Sequence, residues 1–109
     1  MTRVHDLAHS RAGDKGNTSN VSVIAYDAAG WDRLRSELTE ARVLRLYAPL
    51  GATRVTRYDL PKLMAMNFVI EEVLGGGVSR SLALDAHGKS LSALMLALEL
   101  DADRPQDRR

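Results

Sequence analysis

The sequence predicts an α/β protein, a two-layer sandwich in which a mixed sheet of about five strands carries two helices on one face. Three observations predict it. Short β-branched or alternating stretches are interleaved with helical patterning in the order β-β-α-β-α-β-β. Two helices are enough to cover one face of a small sheet. The 109-residue chain has the length of one domain, read as residues 1–100, with 101–109, "DADRPQDRR", as a frayed polar tail.

Residues 2–8, "TRVHDLA", read as a short strand with Val4 facing inward. Residues 9–20 read as a polar, glycine-rich loop. "VSVIAYD", 21–27, is a β-branched run whose Val21, Val23 and Ala25 share one face. "DAAG", 27–30, reads as a turn, after which Asp32 caps a first helical turn and Thr39 caps "EARVLRLYA". There Val43, Leu44, Tyr47 and Ala48 form an apolar stripe, with Arg42 and Arg45 on the wet side. Pro49 and Gly51 end it. "TRVTRYDL", 53–60, alternates Val55 with Arg54 and Thr56, a strand with one solvated face. Pro61 then opens a helix over about 62–74, apolar almost all round and so buried. "SRSLALD", 79–85, reads as a strand. Leu94, Leu96, Leu98 and Leu100 recur with period two, making 93–100 the last strand, with a helix over "SLSALML" as its rival. The β-α-β connections are expected to be right-handed crossovers. One layer of helices leaves the other sheet face uncovered.

Composition narrows the function classes. Fifteen Lys and Arg against fourteen Asp and Glu give a net charge of +1, with no electrostatic case for nucleic acid or an anionic membrane. Only five residues are aromatic, in no stacking pattern. There is no cysteine, which excludes disulfides, thiolate catalysis and cysteine-ligated zinc. No apolar run of about 18 residues exists to span a bilayer. "MTRVHDLAHS" lacks the apolar core of a signal peptide, so the expected compartment is the cytoplasm.

Two glycine-rich stretches carry the chemistry. In "SRAGDKGNTSN", 10–20, Gly13 and Gly16 bracket Asp14 and Lys15. Successive N–H groups in such a turn make an anion-binding concavity. Lys15 and Arg11 add charge, and Thr18, Ser19 and Asn20 add directed hydrogen bonds. The spacing is not that of a Walker loop. The same composition also suits a long hairpin loop whose Asp, Asn and Ser satisfy their own backbone. "GGGVSRS", 75–81, reads either as a helix stop or as a close-fitting bend, formed by Gly76 and Gly77, with Arg80 as an anion clamp. Asn67 and Glu71, four apart on the expected helix, share a face, and a buried Asn67 needs partners. Glu71 and Glu72 read as a solvated helix end. His9, beside the first loop, is an acid/base candidate with Asp14 and Lys15. His5 and His9 lack metal-site spacing, and His87 reads as a turn residue. Met64 and Met66 read as core filling. Neither a metal nor a cofactor is called for.

"HDLAHSRAGDKGNTSNVSVIA" and "RYDLPKLMAMNFVIEEVLGGGVSRSLALDAHGKSL" together resemble the small C-terminal domain of the acyclic terpene utilisation protein A (AtuA) family, over roughly residues 3–100. The carrying motifs are His-x-Arg-x-Gly-Asp-Lys-Gly-x-x-x-Asn, His9 to Asn20, and Asn67-Phe68 with the Gly-Gly-Gly-Val-x-Arg-Ser-Leu run at 75–82. The resemblance implies a ferredoxin-like fold. It also implies a partner, because in that family the domain usually follows a larger one and occurs with acyl-CoA catabolism of terpenes and related branched acids. That large domain is absent here, so the chain resembles the case of two separate chains. No catalytic residue is transferred.

Two functions follow. The first is a small subunit that docks on an AtuA-like large chain and self-associates through its uncovered sheet face. Its anion site for an acyl-CoA or carboxylate would be built from Arg11, Gly13, Lys15, Gly16, Ser19, Asn20, Asn67, Gly76, Gly77 and Arg80. The alternative is a stand-alone hydratase or lyase on a carboxylate or acyl-CoA, with His9, Asp14 or Lys15 moving protons. The first is favoured because no nucleophile–base pair or metal cluster is legible.

Overall fold

The computed structural model describes residues 2–15, 18–73 and 89–100. Helix α1 spans Val4–Leu7, strand β1 Ala8–Lys15 and strand β2 Thr18–Ala25. Helices α2, Ala28–Glu37, and α3, Glu40–Tyr47, follow. Strands β3, Arg54–Leu60, and β4, Ala65–Glu71, come next, and α4 spans Lys89–Ala97. The sheet order is β1-β2-β4-β3 and every neighbouring pair is antiparallel. Strands β2 and β3 therefore run parallel with β4 between them, a split β-α-β arrangement. The α/β two-layer class holds. Among the described residues the sheet has four antiparallel strands, where about five in a mixed sheet were expected. The strand expected at 79–85 lies outside the described residues.

Several elements differ from their sequence reading. Residues 4–7 form a helical turn, not a strand, because the Asp6 carboxylate accepts the Arg3 N–H at 2.9 Å and closes the turn. The polar stretch 9–20 is mostly strand, and the ladder runs to Lys15 opposite Thr18. Helix α2 begins earlier than Asp32: Asp27 is its cap and accepts the Gly30 N–H at 2.8 Å. Gly30 suits that turn because a Cβ would lie 3.2 Å from the Leu7 carbonyl oxygen. Thr39 caps α3 as expected, accepting from Arg42 N–H at 3.2 Å.

The largest difference is at 62–74. Pro61–Leu63 form a single 3₁₀ turn, Met64 turns left-handed at φ 52°, and Ala65–Glu71 is a strand. A mostly apolar run whose polar Asn67 and Glu71 fit one face of either element reads as buried helix or central strand. Burial decides it, since Met66, Phe68 and Ile70 are fully buried while Asn67, Val69 and Glu71 are not. Residues 89–97 resolve the other ambiguity toward the rival helix. Leu91 and Met95, one turn apart, are buried, whereas Leu94 is exposed. Beyond it the chain bonds back to the N-terminal segment, Leu98 accepting from Val4 N–H and Leu100 donating to the Thr2 carbonyl.

Among the described residues, the helices cover one face of the sheet. Val21, Val23, Phe68, Met66 and Ile70 of the sheet cluster with Trp31, Leu34, Val43, Tyr47, Leu91 and Met95 of the helices. Arg57, which shares the parity of Val55, also points to this side. Its guanidinium donates to the carbonyls of Arg35 and Leu38 at 3.1 and 3.0 Å, satisfying the C-terminal end of α2. Its backbone N–H on the sheet edge donates to Glu40 at 2.7 Å.

Tyr47 is fully buried and donates its hydroxyl hydrogen bond to the Leu91 carbonyl, tying α3 to α4. Burial pushes its pKa well above the ordinary 10.0. Above pH 10 the unfolded chain releases this proton while the folded chain holds it. Stability is therefore complete below that pH and falls as pH rises past it, by about 1.4 kcal/mol per pH unit for this one group. Tyr47→Phe is expected to cost about 1 kcal/mol at pH 7 and to flatten the alkaline decline, measured by denaturant unfolding from pH 7 to 11. An equally steep decline in the variant would assign it to other groups.

Candidate functional site

Directly opposed residues in an antiparallel sheet point to the same side, so the register defines rows across all four strands. On the side that carries none of the described helices the rows are His9–Ile24–Ala65–Leu60, Arg11–Ser22–Asn67–Tyr58, Gly13–Asn20–Val69–Thr56 and Thr18–Glu71–Arg54. Ala65 is buried yet stands outside the core cluster, as its place on this face requires.

This face collects much of what the sequence singled out. His9 is exposed and stacks on Tyr26, with ring centroids 5.8 Å apart and planes 20° apart. Arg11 is the next residue along β1 on the same side, also exposed. Its carbonyl accepts from the Ser22 hydroxyl at 3.5 Å. Asn67 donates its side-chain amide to the Asn20 side-chain oxygen at 3.5 Å, joining the N-terminal hairpin to β4. The partner that Asn67 needed is thus another side chain of the first polar stretch. Asn67 and Glu71 do share a face, but as strand residues two rows apart rather than as neighbours on a helix.

Other positions fall elsewhere. Ser19 is 2% exposed and sits on the helix side, in register with Ile70. Asp14 and Lys15 are placed by backbone alone, opposite Ser19 and Thr18. Gly16, Gly76, Gly77, Arg80 and the whole of 75–81 lie outside the described residues, and with them the expected meeting of the two glycine-rich stretches. His5 is in α1 with Asp6 at 3.7 Å. Among the described residues no group of three His, Cys, Asp or Glu side chains is placed to hold a metal ion. No helix there is long and apolar enough to cross a membrane.

The sequence reading missed Tyr26, Tyr58 and Leu60, which are 61%, 54% and 45% exposed. The signal for two of them was present, because Arg54, Thr56, Tyr58 and Leu60 share one parity in the strand that was correctly found. Tyr26 was hidden by reading 9–20 as a loop, which removed the strand that carries its stacking partner His9.

The model of the AtuA ferredoxin-like domain family matches residues 2–101. No curated protein and no solved structure matches the chain significantly.

Gly13 sits mid-strand on the helix-free face. Its φ is not positive, and a Cβ built there would meet nothing within 4 Å. Neither backbone conformation nor internal packing calls for glycine, which in a strand weakens folding and often marks close approach by another molecule. Gly13→Ala is expected to leave folding stability unchanged or raise it by up to about 1 kcal/mol, measured by denaturant unfolding. A loss of that size would show that the fold itself needs glycine at this position.

Proposed function

Since the chain belongs to the AtuA ferredoxin-like domain family, we propose that it is the small subunit or accessory domain of an AtuA-like large chain. Together they act in the catabolism of acyl-CoA esters of branched, terpene-type acids. The small chain contributes an anion-binding strip to the shared site. One observation carries this reading: Arg11, the bare backbone of Gly13 and the Asn20–Asn67 amide pair stand in two adjacent rows of the helix-free face.

The strip has the chemistry for a carboxylate or phosphate. Arg11 supplies a fork of N–H donors to oxyanions. With no side chain at Gly13, an acyl or phosphate group can lie against the strand. The amide pair adds neutral hydrogen bonds that fix orientation without adding charge. Among the described residues of this face no acid and base stand paired around Arg11. The large chain is accordingly assigned the proton transfers, and the small chain binding and orientation. The Lys15 position extends the strip toward the hairpin end.

The test is reconstitution. Conversion of a branched acyl-CoA is expected to require both chains. Arg11→Ala is expected to raise KM for the acyl-CoA about tenfold or more, the loss of one charge-assisted hydrogen bond, with an unchanged circular dichroism spectrum. Full activity from the large chain alone, or turnover by the small chain alone, contradicts the reading.

A further inference from the structure

Among the described residues β3 is an edge strand, paired with β4 on one side only. An edge strand presents outward N–H and C=O groups, a ready template for pairing with another chain. Outward groups alternate along an antiparallel strand. Arg57 gives their parity here, because its N–H is donated to a side chain and not to β4. Val55 and Asp59 share that parity, and Arg57 is the middle residue of Arg54–Leu60. The acceptor is the Glu40 carboxylate at 2.7 Å, a short, charge-assisted bond. Glu40 is the first residue of α3, a position that suits an acid because the helix N-terminus is electropositive. The Arg57 guanidinium is committed elsewhere, to the carbonyls of Arg35 and Leu38 and, through Nε, to Asp59 at 2.8 Å. An open cavity of about 480 Å³ lies against this edge, lined by Arg35, Thr39, Glu40, Arg57 and Asp59.

We propose that Glu40 guards the β3 edge: it occupies the central N–H that an added strand needs, and without it the edge pairs with the β3 of a second copy. An added antiparallel strand takes the Arg57 N–H for its own carbonyl. With Glu40 in place, that exchange breaks the charge-assisted bond and leaves a bare carboxylate against backbone oxygens, an arrangement that costs more than an ordinary lost hydrogen bond. A second β3 fits the freed edge. Pairing two copies about Arg57 uses all seven residues of the strand. It sets Arg54 opposite Leu60 and Thr56 opposite Tyr58 on one side of the sheet, and Val55 opposite Asp59 on the other. Only the two Arg57 residues meet as like charges, and each is already held by its own Asp59.

Amide hydrogen exchange at Val55, Arg57 and Asp59 of the full chain is measured over a range of concentrations, with the mass followed by light scattering. Wild type is expected to protect the Arg57 amide at every concentration, with no change at Val55 or Asp59. Dilute Glu40→Ala is expected to exchange the Arg57 amide about tenfold or more faster, the loss of one charge-assisted bond. Concentrated, it is expected to associate about tenfold or more tightly than wild type and to protect Val55, Arg57 and Asp59 together. Circular dichroism checks folding, and Glu40→Ser, also too short to reach the strand, repeats the test if Glu40→Ala does not fold. A folded variant that associates no more than wild type, or associates without protecting these amides, overturns the proposal. So does wild-type protection of Val55 and Asp59 that grows with concentration, because the edge would then be open with Glu40 in place.

Discussion

Strand β4 is hydrogen-bonded on both sides, to β2 and to β3, and its register admits no slip. A shift of one residue would carry Met66, Phe68 and Ile70 from the core onto the solvated face and drive Asn67 and Glu71 inward. Burying those three side chains is worth on the order of 1.5–3 kcal/mol each, so register and burial fix one another. Everything on the helix-free face inherits its position from this strand. Asn67 reaches Asn20, and Tyr58 joins the row of Arg11, because β4 stands between β2 and β3.

The described helices complete the opposite layer and none of them lies on that face. Their attachment is polar as well as apolar. Arg57 reaches from the edge strand to the last carbonyls of α2, Glu40 accepts the edge N–H of Arg57, and Tyr47 bonds across to α4. These contacts put the ordered hydrogen bonding on the covered side. The uncovered side keeps its longer, weaker contacts between Asn20 and Asn67 and between Ser22 and Arg11, as well as the exposed Arg11 and the side-chain-free Gly13. A surface that spends little of its polar capacity internally has it available for another molecule.

The layered class was legible in the sequence because β2, α3 and β3 carry unambiguous periods. Val21, Val23 and Ala25 alternate, Thr39 caps a clear stripe, and Val55 alternates with Arg54 and Thr56. The central strand was not legible, because Val69 interrupts the polar parity of Asn67 and Glu71, and those two, four apart, also fit one face of a helix. Residues 8–15 were obscured for the opposite reason. "AHSRAGDK" has the composition of a loop, and only its pairing with β2 makes it a strand. The candidate residues His9, Arg11, Gly13, Asn20 and Asn67 were found from residue type. Their common face required the register, which no single stretch encodes.

That register is open to direct measurement in solution. Nuclear Overhauser contacts along the row Arg11–Ser22–Asn67–Tyr58 test it at one height across all four strands. Cross-strand contacts from Asn67 to both Ser22 and Tyr58, with slow amide exchange through 66–70, are the expected result. Sequential helical contacts between residues three and four apart in 62–74, with none across to Ser22 or Tyr58, would contradict it and dissolve the face on which the function has been placed.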